Sequence, residues 1–250
     1  MRTDFELFTG KQIASLRKGG KILRECLDHC RVLVKPGVTT ADIDTAAEQF
    51  IRERGGSPAF KGYSGFPATL CTSVNDEIVH GIPGPRQLHD GDIISLDGGV
   101  IYDDLYTDAC ISVGVGTIDA KTQVFMDDVS QTLEDVVRTV VKAGVSVGSI
   151  SAFIQQAIEA HGYSIVRELT GHGLGSHLHQ FPDVPNFGTE GRGPVLPPYT
   201  LIAIEPIATM GGSRIQTDND GWTIRTKDGS LACHFEHTVL ITPDGCEVMA

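Results

Sequence analysis

The sequence has no apolar run near the ~20 residues that a membrane-spanning helix needs. Its first residues, MRTDFELFTGKQ, carry neither an apolar leader core nor a cleavage pattern. A cytoplasmic protein with no membrane partner is the expectation. Basic residues are scarce beside acidic ones: 20 Lys and Arg against 32 Asp and Glu leave a formal charge of −12. That balance argues against DNA as a partner, because phosphate binding needs clustered cations. The one basic cluster, Lys11, Arg17, Lys18, Lys21 and Arg24, reads as the solvated face of a first helix. The six cysteines form no CxxC pair. In a chain this long they are not needed as disulfide staples, and Cys26 and Cys30 read as buried thiols on an amphipathic helix. No low-complexity linker divides the chain, so residues 1–250 are expected to form a single domain.

Within that domain the chain repeats itself. KPGVTTADIDTAAEQFIRERGG from Lys35 aligns with KAGVSVGSISAFIQQAIEAHGY from Lys142. Both read as a glycine turn, a hydroxyl residue, an amphipathic helix and a glycine stop, and Thr39 with Asp42 resembles a capping box. Longer helices are expected before them, over about 10–34 and 119–143. Strands are expected near 69–74, 92–101 and 105–115 in the first half and near 201–208 and 231–241 in the second. Helices followed by strands, twice, predict an α+β fold with mostly antiparallel pairing and helices on one side. The halves are expected at about 10–117 and 118–250, with a site where they meet.

That site is announced by five scattered residues: Asp97, Asp108, His172, Glu205 and Glu236. Each lies in a strand or strand end among apolar neighbours. Acidic groups are rarely buried unless paired or metal-bound. Four carboxylates balance two divalent cations, which predicts a dinuclear hydrolase. The midpoint of Asp97 and Asp108 falls between Tyr102 and Asp103. A hairpin turning around Asp103-Asp104 would set the two carboxylates nearly opposite each other on one face. Glu205 is the lone charge in LIAIEPIA. Glu236 lies in LACHFEHTVLIT between His234 and His237, and spacing alone does not choose among the three as ligand. His172, His177 and His179 share a glycine-rich stretch without the Lys of a phosphate loop. His80 follows a strand in a turn-rich segment.

These stretches resemble the type I methionine aminopeptidases, cytosolic enzymes of the pita-bread fold with two pseudo-symmetric halves. The resemblance covers essentially the whole chain, through FKGYSGFPATLCTSVNDEIVHGIP, DGDIISLDGG with TDA, GHGLGSHLH, IEPI and DGWTIRTKDGSLACHFEHTV. It implies removal of the N-terminal methionine from nascent proteins, with a small second residue preferred. It implies that Asp97, Asp108, His172, Glu205 and Glu236 bind two divalent metal ions (Co, Mn, Fe or Zn), with Asp108 and Glu236 bridging. It makes Glu205 the proton carrier, with His179 and His80 as further catalytic and substrate-contacting groups. Tyr63, Phe66, Cys71, Leu178 and Trp222 match positions lining the methionine pocket. A monomer acting on nascent polypeptide N-termini is implied, with ribosome docking by analogy. The sequence departs from the family at Gln180, where an acid is common, and at Ser176, where a base is common. Gly98-Gly99 resembles the proline-specific relatives. A proline-specific dipeptidase or aminopeptidase of the same fold is therefore the rival reading, although those relatives usually carry an extra N-terminal domain and lack the Trp222 motif. A non-catalytic peptide-binding fold-mate is the second rival, and such proteins typically lose metal ligands.

Overall fold

Apolar residues recur along the first helical segment at Ile13, Leu16, Leu23, Leu27 and Cys30, which is helical spacing. In the computed structural model, which describes residues 4–250, they form the buried stripe of α1 (Gly10–Leu33). Thr9 and Gln12 close a capping box at its start. α1 packs across a hairpin of strands Ile93–Tyr102 and Leu105–Gly114, and α2 (Thr40–Glu53) packs beside it, over strand Leu70–Val74. Leu23, Cys26, Ile43 and Ile51 meet Leu70, Ile94, Leu96 and Val100 in one apolar core. α3 (Ala120–Thr139) and α4 (Val147–Ala160) pair likewise over the second half. There Phe125, Leu133, Ile150 and Ile154 meet Ile202, Ile204, Val239 and Ile241.

All strand pairs in these sheets are antiparallel. Strand Ile93–Tyr102 is central in the first sheet, with Leu70–Val74 and the short Ser57–Pro58 along one side and Leu105–Gly114 along the other. The second sheet runs in spatial order Gly245–Val248, His237–Thr242, Leu201–Ile204, Thr170–Gly173, Gln180–Pro185. This is the expected α+β class. One seam joins the sheets. Asp108 N–H donates to Thr238 Oγ1, and Thr238 Oγ1 donates back to the Asp108 carbonyl. Cys110 and Glu236 exchange backbone hydrogen bonds, and the Ser112 hydroxyl donates to the His234 carbonyl and accepts from the His234 N–H. Alternate residues of the two chain halves are therefore held at one register across the seam.

Two expected strands are each broken. The segment expected at 201–208 stops at Ile204 and resumes at Ile207, and the one expected at 231–241 stops at His234 and resumes at His237. The breaks lie opposite each other, since Ile204 pairs with His237 and Ile207 with His234. Pro206 has no N–H to give a ladder, which accounts for the interruption on its strand. Glu205 and Glu236 both fall inside the gap. The helix expected to reach residue 143 ends at Thr139.

The two similar segments share backbone detail. Gly37 and Gly144 have φ of +90° and +83°, and Gly55 and Gly162 have +79° and +84°. Thr39 and Ser146 are the N-caps of α2 and α4. Gly37 N–H donates to the Leu88 carbonyl as Gly144 N–H does to that of Leu196. The caps differ: Asp42 closes a capping box with Thr39, whereas Ser146 meets only the Ser149 hydroxyl, at 3.0 Å.

Candidate metal centre and substrate cavity

The hairpin register sets Asp97 opposite Cys110 and Asp108 opposite Gly99. The two carboxylates are therefore diagonal neighbours on one face, not the nearly opposite pair expected from their midpoint. The turn is the reason. Asp103 and Asp104 both have positive φ, 50° and 61°, and form the expected two-residue loop; its centre lies one position beyond the midpoint of the two acids, so Asp97 pairs with residue 110 instead of 108. Gly99, between the two acids, has no space for a side chain, because a Cβ there would stand 2.8 Å from that of Ala59. At Gly98 the Cβ would lie 2.5 Å from Leu70 Cδ2. Packing thus gives the glycine pair a reason within this chain.

Asp97, Asp108, His172 and Glu236 are buried and Glu205 nearly so, and all five line one cavity. Donor atoms of Asp108, His172 and Glu236 lie within 4.8 Å of one another. His172 Nε2 is 3.9 Å from Asp108 Oδ2 and 4.0 Å from Glu205 Oε1. His172 Nδ1 lies 3.0 Å from the Gly173 carbonyl, which only an N–H can approach favourably. Nε2 is then the lone-pair nitrogen and faces the acids. Burial lowers the His172 pKa to about 3, so this imidazole is neutral and no counter-charge. Burial, then the neighbouring carboxylates, raises Asp108 and Glu236 well above the ordinary carboxylate range, and burial with Asp97 does the same to Glu205. Asp97 Oδ1, Asp108 Oδ1 and Glu236 Oε1 are buried without a hydrogen-bond partner. Convergent, unpartnered carboxylate oxygens beside a neutral imidazole lone pair suit a divalent cation, and no thiolate is needed.

The neighbouring histidines separate. His237 bonds the Ala250 carbonyl and Glu134, away from the cavity. His234 is buried with Nε2 3.8 Å from Asp97 Oδ2, on the same side as Glu236. His177 is exposed and its Nδ1 meets the Ser176 carbonyl.

Beyond the acids the cavity, about 160 Å³, is walled by Phe60, Tyr63, Phe66, Cys71, Val79, His80, Leu178, His179 and Trp222. Every pocket residue expected from the sequence is thus at one place. Phe60 and Val79 were missed, although both lie in the FKGYSGFP and NDEIVHGIP stretches that drew attention. Trp222 packs edge-on against Phe66 at 5.1 Å and near His80 at 6.4 Å. Tyr63 Oη lies 2.8 Å from His179 Nδ1, and the His179 ring packs on that of His172 at 4.3 Å. His80 has φ of +59°, an uncommon backbone state that turns its ring out of strand Glu77–Val79.

A buried acidic centre at the end of a largely apolar cavity, on paired antiparallel sheets, has the make-up of a metal-dependent hydrolase site. Residues 14–243 match the model of metallopeptidase family M24, and the chain belongs to that family. It is 45% identical over 240 residues to the methionine aminopeptidase of Clostridium perfringens, covering 95% of both chains. It is 38% identical to methionine aminopeptidase 1 of Bacillus subtilis, covering 96% of this chain and 97% of that one. The crystal structure of the Thermotoga maritima methionine aminopeptidase superposes with a TM-score of 0.97 at 37% identity, over 98% and 99% of the two chains. A prolidase from Pyrococcus furiosus matches at 0.80 and 19% identity over 97% of this chain but 64% of its own, a likeness of fold alone. The pita-bread fold is common to these structures.

Proposed function

We propose that the chain is a methionine aminopeptidase that removes the N-terminal methionine of nascent proteins, preferring a small second residue. One observation carries the reading: a single cavity joins an apolar wall of Phe66, Cys71, Leu178 and Trp222 to the carboxylate cluster. A cavity of about 150 Å³ takes a group the size of benzene, and this one, about 160 Å³, also contains the acidic end. The apolar end therefore suits one unbranched side chain, and a thioether packs well against aromatic rings. The relatives at 38–45% identity that carry the name methionine aminopeptidase support the same substrate.

In this reading Asp97, Asp108, His172, Glu205 and Glu236 would hold two divalent ions from among Co, Mn, Fe and Zn. Bound there, such ions supply Lewis acidity and acidify water for attack on the peptide carbonyl. Glu205 Oε1, facing His172 Nε2 across 4.0 Å, takes the proton of the attacking water and passes it to the leaving amine. With Tyr63 donating to His179 Nδ1, the Nε2–H of His179 remains to donate to the developing oxyanion. His80 contacts substrate beside the scissile amide. The apolar wall of Phe66, Cys71, Leu178 and Trp222 would pack the first side chain and so select which residue is removed.

The wider reading follows. Residues 1–250 act as one catalytic domain built from halves 10–117 and 118–250, supported by the matched helix entries and the Cys110–Glu236 seam. Among the described residues no helix is long and apolar enough to cross a membrane, which agrees with a cytoplasmic monomer. Its partners are nascent polypeptide N-termini, with ribosome docking as the analogy would have it. The test is release of methionine from Met-Ala-Ser against cleavage of Ala-Pro and Met-Pro peptides. Rapid cleavage of Met-Ala-Ser alone is expected. Preferential cleavage before proline would replace this reading with that of a proline-specific peptidase.

A further inference from the structure

Two departures from the family pattern, Ser176 and Gln180, have a common partner. Glu6 Oε2 accepts from the Ser176 hydroxyl at 2.7 Å, from the Ser176 backbone N–H at 3.2 Å and from Gln180 Nε2 at 3.0 Å. The far end of the Gln180 amide accepts from His177 N–H at 3.3 Å, so the amide is held at both ends. Apolar contacts seat the same segment. Phe5 packs edge-on against Phe181 at 4.9 Å. Phe8 is buried beneath Gly175, where a Cβ would come within 2.0 Å of its ring. Phe8 N–H donates to the Tyr199 carbonyl, and Thr9 then caps α1. Residues 5–8 therefore run along the loop 174–181 and are anchored on both sides of it.

What that loop carries gives the contact its meaning. Leu178 and His179 line the cavity, and Ser176 and Gln180 bracket them. No residue of 5–8 lines the cavity. Here both ends are neutral and the charge comes from 170 residues away in sequence. A carboxylate taking three donors, one of them a backbone N–H, makes stronger bonds than a neutral acceptor does. We propose that Glu6 is a positioning residue for the substrate site: its carboxylate clamps both ends of the 176–180 loop and so fixes Leu178 and His179 against the cavity. The substrate side of this inference rests on the methionine aminopeptidase reading, whereas the clamp does not.

Glu6→Ala and Gln180→Glu test it on the intact, metal-loaded chain. Glu6→Ala should lower kcat/KM on Met-Ala-Ser about ten- to hundredfold, mostly in kcat, since a small misplacement of a group acting on the transition state is costly. Gln180→Glu should cost a similar amount because it sets a second carboxylate against Glu6, and Glu6→Gln in that background should restore most of it. A residue serving only stability would lower the melting temperature without that cycle. Independently of any substrate, Glu6→Ala should raise amide hydrogen exchange at Ser176 and His177 at least about tenfold and shift the imidazole NMR signals of His179. If wild type fails to cleave Met-Ala-Ser while exchange and the His179 signals respond to Glu6→Ala, the function reading falls and the clamp stands. Unchanged exchange and unchanged His179 signals in Glu6→Ala overturn the clamp. Unchanged kcat and KM in an active wild-type background overturn its positioning role.

Discussion

Two carboxylate clusters in this molecule are built in opposite ways. Around Arg225, the guanidinium forks to Asp218 at 2.6 Å, Asp76 at 2.9 Å and Glu77 at 2.7 Å, and Arg86 reaches Glu77 at 2.8 Å. Burial still raises Glu77, but its backbone bond to Val74 and the two arginines push the other way. Around Asp97, Asp108, Glu205 and Glu236 there is no arginine or lysine within ion-pair distance among the described residues, and the histidines stand 3.8–4.0 Å off. One cluster carries its own cations and joins strand Glu77–Val79 to the segment leading from Trp222. The other leaves buried carboxylate oxygens unpartnered and needs cations from outside. A structural acid is recognised by the base that comes with it, and a metal-ligating acid by the lack of one.

The sharpest way to break that contrast is to remove one acid from the unpaired cluster. Asp108→Asn should lower peptide hydrolysis by at least about a hundredfold and lower the metal content of the purified protein. The same variant, stripped with EDTA, should melt higher than stripped wild type, because one of four repelling groups is gone. Second is Arg225→Met, which strands Asp76 and Asp218 and leaves Glu77 with Arg86 alone. Loss of a buried partner costs about 3–5 kcal/mol, and the partial exposure of Arg225 points to about 3. The melting temperature should fall by roughly 6–12 °C with or without metal. Emission from Trp222, the chain's single tryptophan, should shift as its loop loosens. An Arg225→Met protein as stable as wild type would show that this cluster does not hold the fold.

The smallest effect is a pH trend. Asp108 is raised from an ordinary 3.8, and Glu205 and Glu236 from 4.5. Between those ordinary values and the raised ones, the folded metal-free chain binds more protons than the unfolded chain. These groups therefore favour the fold at low pH, and their contribution is lost as pH rises from about 4 through their folded values. In the proposed reading, bound cations would supply the missing positive charge at neutral pH. The gap in melting temperature between metal-loaded and EDTA-stripped protein should widen from about pH 5 to about pH 7.5. A constant gap would mean that Asp108, Glu205 and Glu236 do not titrate as groups short of a cation.

Much of the centre was readable before folding, because a lone acid in an apolar strand has few explanations. Glu205 and Glu236 stood out for that reason, and Asp97 and Asp108 by their symmetry about a turn. The turn falls at Asp103-Asp104 as expected, but the midpoint of the two acids lies one position before it, and the loop rather than that midpoint decides the register. The broken strands at Glu205-Pro206 and Phe235-Glu236 were read as continuous. Pro206 was visible, but the matching break on the partner strand depends on pairing across the sheet. The choice between Glu236 and its neighbours depended on which way each side chain turns, and His237 turns toward Glu134. Glu6 could not have been found by pattern, because its meaning lies in a contact with a loop 170 residues away.

The proposed function depends on four carboxylates and one neutral imidazole holding two divalent cations. Calorimetric titration of the EDTA-stripped chain with Mn²⁺ tests it most directly. The account predicts saturable binding approaching two ions per chain in wild type and a reduced stoichiometry in Asp108→Asn. A wild-type protein that takes up no Mn²⁺, Co²⁺, Fe²⁺ or Zn²⁺ at neutral pH, while remaining folded, would contradict it.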